Sequence, residues 1–278
     1  MIEQNCFALN RIIAPSMGIQ EFFEFAYSTG IRKVELRNDL GAKNAIDGLS
    51  PSQVAKMASD RGINILSINA LQKFNLGSHK QNALSELSEL IELAKAISCR
   101  AIVLCPNNDS KDARNKEQQI AETIDALATF GPLFTKAGIL GLIEPLGFSI
   151  SSLSSLLVAQ ECIRKSGFSC YRVVYDTFHH YIGPDDLTIL GKNYDVKYTG
   201  LVHISGVEDD IPISQYHDQH RILVGPNDRM KSKEQILLLH RLGFSGDLSF
   251  EPFSPQIQNL SPDKLAYAIQ KSIEFILS

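Results

Sequence analysis

Five times along this chain a glycine and an apolar residue separate a helix-like stretch from a short apolar run: Gly30-Ile31, Gly62-Ile63, Gly138-Ile139, Gly167-Phe168 and Gly243-Phe244. Glycine is the natural residue just past a helix end, because that position commonly needs a positive φ. The apolar residue after it closes the cap by packing back on the last turn. A strand-like run follows each cap. Helix, turn and strand therefore repeat in series, and that order predicts a parallel sheet covered by helices. The predicted strands are Cys6–Asn10, Lys33–Arg37, Asn64–Asn69, Ala101–Cys105, Ile139–Glu144, Tyr171–Asp176, Thr199–His203 and Leu248–Glu251. Eight strands in 278 residues, with no linker or low-complexity tract, predict one (β/α)8 TIM barrel domain spanning residues 1–278.

The intervening helices carry the matching period. Leu84, Leu87, Ile91, Ala94 and Ile97 recur at helical spacing over Gln81–Ser98. Ile120, Ile124, Leu127 and Phe134 stripe the next helix, and Leu265, Ile269, Ser272 and Ile276 stripe the last. Ser50-Pro51 and Ser261-Pro262 read as N-cap and first helical residue. Two stretches break the rhythm. Tyr181–Lys197 carries only a short or irregular helix, and Ser205–Arg229 is a long polar loop after the seventh strand. At the C-terminal face of a barrel such a loop is expected to serve as lid or substrate wall.

Composition narrows the function classes. A formal net charge of -4 gives no electrostatic footprint for nucleic acid. No apolar run approaches the roughly 18 residues of a membrane span, and Met1–Asn10 lacks the charged-then-apolar pattern of a signal peptide. The five cysteines are scattered, with no CxxC pair and an odd total. That fits reduced thiols, mostly core residues, in a cytoplasm. The expected partner is a small molecule, with neither nucleic acid nor membrane, and homo-oligomerisation stays open.

The chemistry gathers at strand ends. Glu144, Asp176, His203 and Glu251 each close one of four successive predicted strands. The gaps, 176-144 = 32, 203-176 = 27 and 251-203 = 48, are one strand-helix unit each, the last enlarged by the polar loop. In a parallel barrel, residues at strand C-termini converge on the active site. Three carboxylates and one imidazole make an oxygen-rich ligand set for a divalent cation. That donor set favours Mn²⁺ or Mg²⁺, with Zn²⁺ or Co²⁺ as alternatives. Taken singly, each residue has a plainer reading: a surface acid in a turn, or a histidine bonded to a backbone carbonyl. Their common placement outweighs it.

Strand ends reading IEPLG, YDTFHH, LVHISG and FEPF, with Val34-Glu35-Leu36-Arg37 and Leu9-Asn10-Arg11 at the first two strands, resemble the xylose isomerase-like TIM-barrel superfamily of sugar phosphate isomerases and epimerases. The resemblance covers essentially the whole chain and is nearest to members associated with myo-inositol catabolism. It implies that Glu144, Asp176, His203 and Glu251 bind one divalent metal. It also implies that Glu144 and Glu251 are the acid and base on opposite faces of the substrate, and that His179 holds substrate oxygens. A substrate-binding arginine soon after the seventh-strand histidine is implied too. The nearest match is Arg221, 221-203 = 18 residues on. Glu35 is a further rim candidate for substrate, with an ion pair to Arg37 or Arg11 as the alternative.

The expected reaction follows from those groups. One carboxylate removes a proton beside a ketone made acidic by the cation, giving an enediolate, and a second returns it at another carbon or face. That is isomerisation or epimerisation of a small sugar, a sugar phosphate or an inositol-derived ketone. Expulsion of a β-hydroxyl from the same intermediate would make the chain an inosose-type dehydratase. An endonuclease-IV-like repair enzyme is disfavoured by seven histidines and the net charge of -4. A non-catalytic sugar-binding barrel has little need of two strand-end glutamates.

Overall fold

The computed structural model describes residues 2–41 and 44–278, so positions 1, 42 and 43 of the predicted domain lie outside the described residues. Eight parallel strands close on themselves in chain order, β8 pairing with β1. They are β1 (Phe7–Asn10), β2 (Lys33–Arg37), β3 (Asn64–Leu71), β4 (Ala101–Leu104), β5 (Leu140–Ile143), β6 (Tyr171–Asp176), β7 (Thr199–Ile204) and β8 (Leu248–Phe250). The helices are α1 (Ile19–Ser28), α2 (Pro51–Asp60), α3 (Lys80–Ala96), α4 (Lys116–Ala137), α5 (Leu156–Ser166), α6 (Thr177–Ile182), α7 (Leu187–Asn193), α8 (Ser232–Arg241), α9 (Pro255–Gln258) and α10 (Pro262–Leu277). None of the described helices is long and apolar enough to cross a membrane.

All five cap glycines have positive φ, between 62° and 105°. Ser50 forms a full capping box with Gln53, whereas Ser261 makes no side-chain bond to its helix. The stripe expected on α4 is displaced. Ile120 and Ile124 are half-buried at its margin, and the buried face runs through Gln119, Thr123, Ala126, Leu127, Phe130 and Phe134. Thr123 sits there because its hydroxyl is satisfied, donating to the Gln119 carbonyl at 2.7 Å and accepting from Asn75 at 2.9 Å.

Strands β2 and β6 match their predicted bounds, and the others shift at their ends. Glu144 and Glu251 fall one residue beyond β5 and β8. Each still donates its N–H to the neighbouring strand, Glu144 to Leu104 O at 3.1 Å and Glu251 to Ile204 O at 3.0 Å. Pro145 and Pro252 follow, have no N–H to donate, and end the ladder there.

Side chains alternate along each strand between helix layer and barrel lumen. Outward residues such as Leu9, Val34, Leu36, Val173 and Tyr175 join the large core beneath the helices. The lumen is filled by a smaller cluster that includes Ala8, Val103, Leu142, Val174 and Leu201. On β1, β5, β6 and β7 the lumen turns polar two residues further along, at Asn10, Glu144, Asp176 and His203.

The Ser205–Arg229 stretch folds over the C-terminal face. Gly206 bridges to Ile222, and 3-10 turns form at Ile213–Gln215 and Asp218–His220. The loop is less polar in effect than in composition, since Tyr216 and Val207 pack with Phe178 and Met230 in a satellite core.

Candidate metal centre

The ring at the C-terminal end of the lumen is made by Asn10, Arg37, Asn69, Cys105, Glu144, Asp176, His203 and Glu251, all buried. Each lies two residues after a lumen-facing neighbour on its own strand, so strand alternation aims it inward. Glu144, Asp176, His203 and Glu251 each offer a ligand atom, and these atoms lie within 4.8 Å of one another. That span suits donors sharing one cation, whose reach to each is roughly 2.0–2.6 Å. The four residues expected from the sequence are thus brought together, as a group that could hold a metal ion.

Local structure fixes each side chain. Asp176 caps α6, and its Oδ1 accepts from the Phe178 and His179 N–H groups at 2.7 and 3.2 Å. Oδ2 is left facing the ring, where Arg221 Nη2 donates to it at 2.6 Å. The same Nη2 donates to Glu251 Oε2 at 2.8 Å, so the long loop delivers Arg221 to the site from 18 residues beyond His203. Glu251 Oε1 also accepts from Arg37 at 2.8 Å and Asn10 at 3.1 Å. His203 Nδ1 lies 2.7 Å from Glu144 and 3.1 Å from Glu251.

Burial and neighbouring charge set the ionisation. Burial alone would raise Glu251, but His203, Arg221 and Arg37 hold its carboxyl well below the usual range. Burial would lower His203, but Glu251, Glu35 and Glu144 raise it well above its ordinary value. Asp176 is pushed up to about 7 by burial, with Glu251 and Glu144 adding to the rise against the pull of Arg221. His179 is lowered to about 3 by burial and by Arg221.

Glu35 does not stand at the rim. It is 0% exposed, with its carboxylate 3.1 Å from His203 Nε2, and it accepts from the Ser67 hydroxyl at 2.6 Å. Neither expected ion pair forms, because Arg37 pairs with Asp39 and Glu251, and Arg11 pairs with Asp47. Strand geometry explains this. Glu35 and Arg37 both face the lumen, but Arg37 lies two residues nearer the rim and takes the place beside Glu251. His179 lies next to the ring. Its ring packs edge-on against Phe148 and Phe178, and its buried Nδ1 has no hydrogen-bond partner.

Arg37, Asn10, Asn69 and Cys105 were not expected at this centre. Asn69 Nδ2 lies 3.5 Å from Glu251 Oε1, and Cys105 Sγ lies 3.5 Å from Glu144 Oε2. Strand parity was the signal that would have found them. The five cysteines are all free thiols.

A family model described as xylose isomerase-like TIM barrel matches residues 23–278. A xylose isomerase domain containing protein from Salmonella typhimurium LT2 is 35% identical, superposes with a TM-score of 0.93, and is matched over 100% of this chain and 99% of its own. The IolI protein, solved with a bound zinc atom, is 20% identical with a TM-score of 0.87, over 98% of both chains. A D-psicose 3-epimerase solved in the presence of D-fructose is 15% identical with a TM-score of 0.74, over 97% of both chains. No curated protein matches the chain. With the family model spanning most of its length and a full-length relative at 35% identity, the chain belongs to the xylose isomerase-like TIM-barrel family.

Proposed function

We propose that this chain is a divalent-metal-dependent isomerase or epimerase that moves a proton beside the carbonyl of a small sugar or inositol-derived ketone. The observation that carries this reading is the convergence of four buried ligand atoms within 4.8 Å at the C-terminal end of the lumen. Glu144, Asp176, His203 and Glu251 would hold the cation. When bound, the cation supplies Lewis-acid polarisation of the ketone, which acidifies the adjacent C–H. Its identity is open between Mn²⁺ or Mg²⁺, suited to three carboxylates, and Zn²⁺ or Co²⁺.

The chain's own residues do the rest. Glu251 is held ionised by His203, Arg221 and Arg37, so it carries no proton of its own and can take one from a C–H that the cation has acidified. Glu144, whose carboxylate lies 2.7 Å from the same His203 Nδ1 that Glu251 approaches to 3.1 Å, is the second proton-transfer group. His179 is neutral at pH 7, with a free ring nitrogen to orient a substrate hydroxyl. Arg221, whose Nη2 donates to Asp176 and Glu251, orients those two carboxylates and lends its positive charge to the same substrate. Glu35 acts from behind as a positioning residue. It accepts the Nε2 proton of His203 and so leaves Nδ1 turned toward the other ligands.

Solvent deuterium tests the reaction. Metal-loaded protein in D₂O should wash deuterium into the carbon next to the carbonyl of an accepted ketose. Turnover without exchange in either direction favours a hydride shift instead. A product that has lost water makes the enzyme a dehydratase on the same site.

A further inference from the structure

An open cavity of about 700 Å³ lies between the loop after β5 and the long loop after β7. Phe148 and Ile150 form one wall, Ile213 and Tyr216 the other, and Ile182 at the end of α6 closes part of it. Ile150 is 44% exposed and Ile213 49%. Large apolar side chains facing water across a concavity are what a ligand with an apolar face would cover.

Two contacts join this cavity to the metal centre. The Phe148 ring sits 5.2 Å from that of His179, between centroids. Asp218, which also lines the cavity, accepts from Arg221 Nη1 at 3.3 Å, while Nη2 of the same guanidinium holds Asp176 and Glu251.

The charges around the mouth do not suit a phosphate. Among the described residues no lysine or arginine lines the cavity, its imidazole, His217, is stacked with Phe148 and His220, and Asp218 is a carboxylate. Barrels commonly bind phosphate at the loops after strands 7 and 8. Here the cavity at that position is lined by Glu208 and Asp209, again without lysine or arginine. A third rim cavity does contain Lys73, Lys111 and Arg114, but Asp109, Asp112 and Glu122 match them, and Arg114 already pairs with Asp112 and Glu122.

We propose that the cavity between Ile150 and Ile213 receives the non-reacting part of an uncharged, unphosphorylated substrate with an apolar C–H face. Phe148, Ile150 and Ile213 set this preference. The assignment rests on the proposed reaction at the neighbouring four-ligand centre, beside which lie His179 and Arg221, the two residues the cavity lining contacts.

Ligand-observed NMR with Mg²⁺-loaded protein tests it, using ketohexoses and inososes paired with their monophosphates. The neutral members should bind at least about tenfold more tightly than the monophosphates, a gap of roughly 1.4 kcal/mol. Ile150→Lys and Ile213→Lys, both at half-exposed positions that tolerate a long polar side chain, should each weaken the neutral ligands and narrow or invert the ratio. Tighter binding of the monophosphates by the wild type overturns the proposal. So does an unchanged ratio in both lysine variants, or failure of every neutral member to bind. Neutral ligands that bind and respond to both variants, yet exchange no deuterium, uphold the cavity assignment and sink the proposed reaction instead.

Discussion

Arg221 Nη2 lies 2.6 Å from Asp176 Oδ2, although the two residues are 45 apart in the chain and on different structural units. The guanidinium is 1% exposed, so it is a cation inserted among buried carboxylates. Removing one partner of such a pair leaves the other uncompensated. Arg221→Met should therefore destabilise the metal-free protein by about 3–5 kcal/mol in urea unfolding. Saturating metal should reduce that penalty, because a cation on Asp176 and Glu251 supplies the lost charge. An equal penalty with and without metal would place Arg221 outside the ligands' electrostatic balance.

Glu35→Gln separates positioning from substrate binding. A carboxylate that orients a ligating histidine from behind is worth on the order of 10–100-fold in metal affinity. Calorimetric titration should show that loss, with the substrate KM at saturating metal little changed. A raised KM at unchanged metal affinity would restore Glu35 to the substrate rim.

Glu144→Gln and Glu251→Gln keep size and one oxygen ligand but remove a base. At saturating metal each should lower kcat by on the order of 10²-fold or more. Wild-type turnover by Glu251→Gln would end the two-glutamate mechanism and leave the metal site alone.

His180 predicts a specific acid sensitivity. It is buried against Tyr175, its Nδ1 has no partner, and burial lowers its pKa from 6.5 to about 4. Between those values the unfolded chain binds the extra proton, so this contribution to stability is full above pH 6.5 and is lost as pH falls toward 4. Taking wild type from pH 7.5 to 4.5 should cost about 2–3 kcal/mol more than the same change in His180→Asn, read by urea unfolding. Parallel pH profiles would show that His180 does not titrate differently on folding.

Gly147 predicts a steric failure. A Cβ there would lie 2.0 Å from the His179 carbonyl oxygen, a backbone atom with no room to rotate away. Gly147→Ala should push α6 and His179 off position, lowering both Tm and kcat. Full activity in this variant would mean the loop after β5 moves freely.

The barrel was legible because its signals are local. A cap glycine, an apolar run and a turn are each set by neighbours in sequence, and the four ligands announce themselves at the ends of such runs. Arg221 was named through the resemblance, but its position was not legible, because it depends on how the loop from 205 to 229 folds back, through the Gly206–Ile222 bridge. Glu35 misled for a different reason. Its position on β2 shows that it faces inward but not how far down the lumen it lies. That depth depends on register against β1 and β3, where Glu35 pairs with Asn10 and Ser67. The α4 stripe held at Leu127 and Phe134 and slipped at Ile120 and Ile124, where a satisfied threonine, Thr123, took the core position.

The lumen-facing ring rises from the strands, whereas the cavity walls rise from loops, and that separation bears on how such a chain can diversify. Substitutions at Ile150 or Ile213 should combine independently with changes in the ring, as distant sites usually do. Phe148 beside His179 and Asp218 beside Arg221 are the points where independence breaks down. A laboratory search for new substrates can therefore vary the outer loop positions freely, and should treat those two contacts as pairs to be changed together.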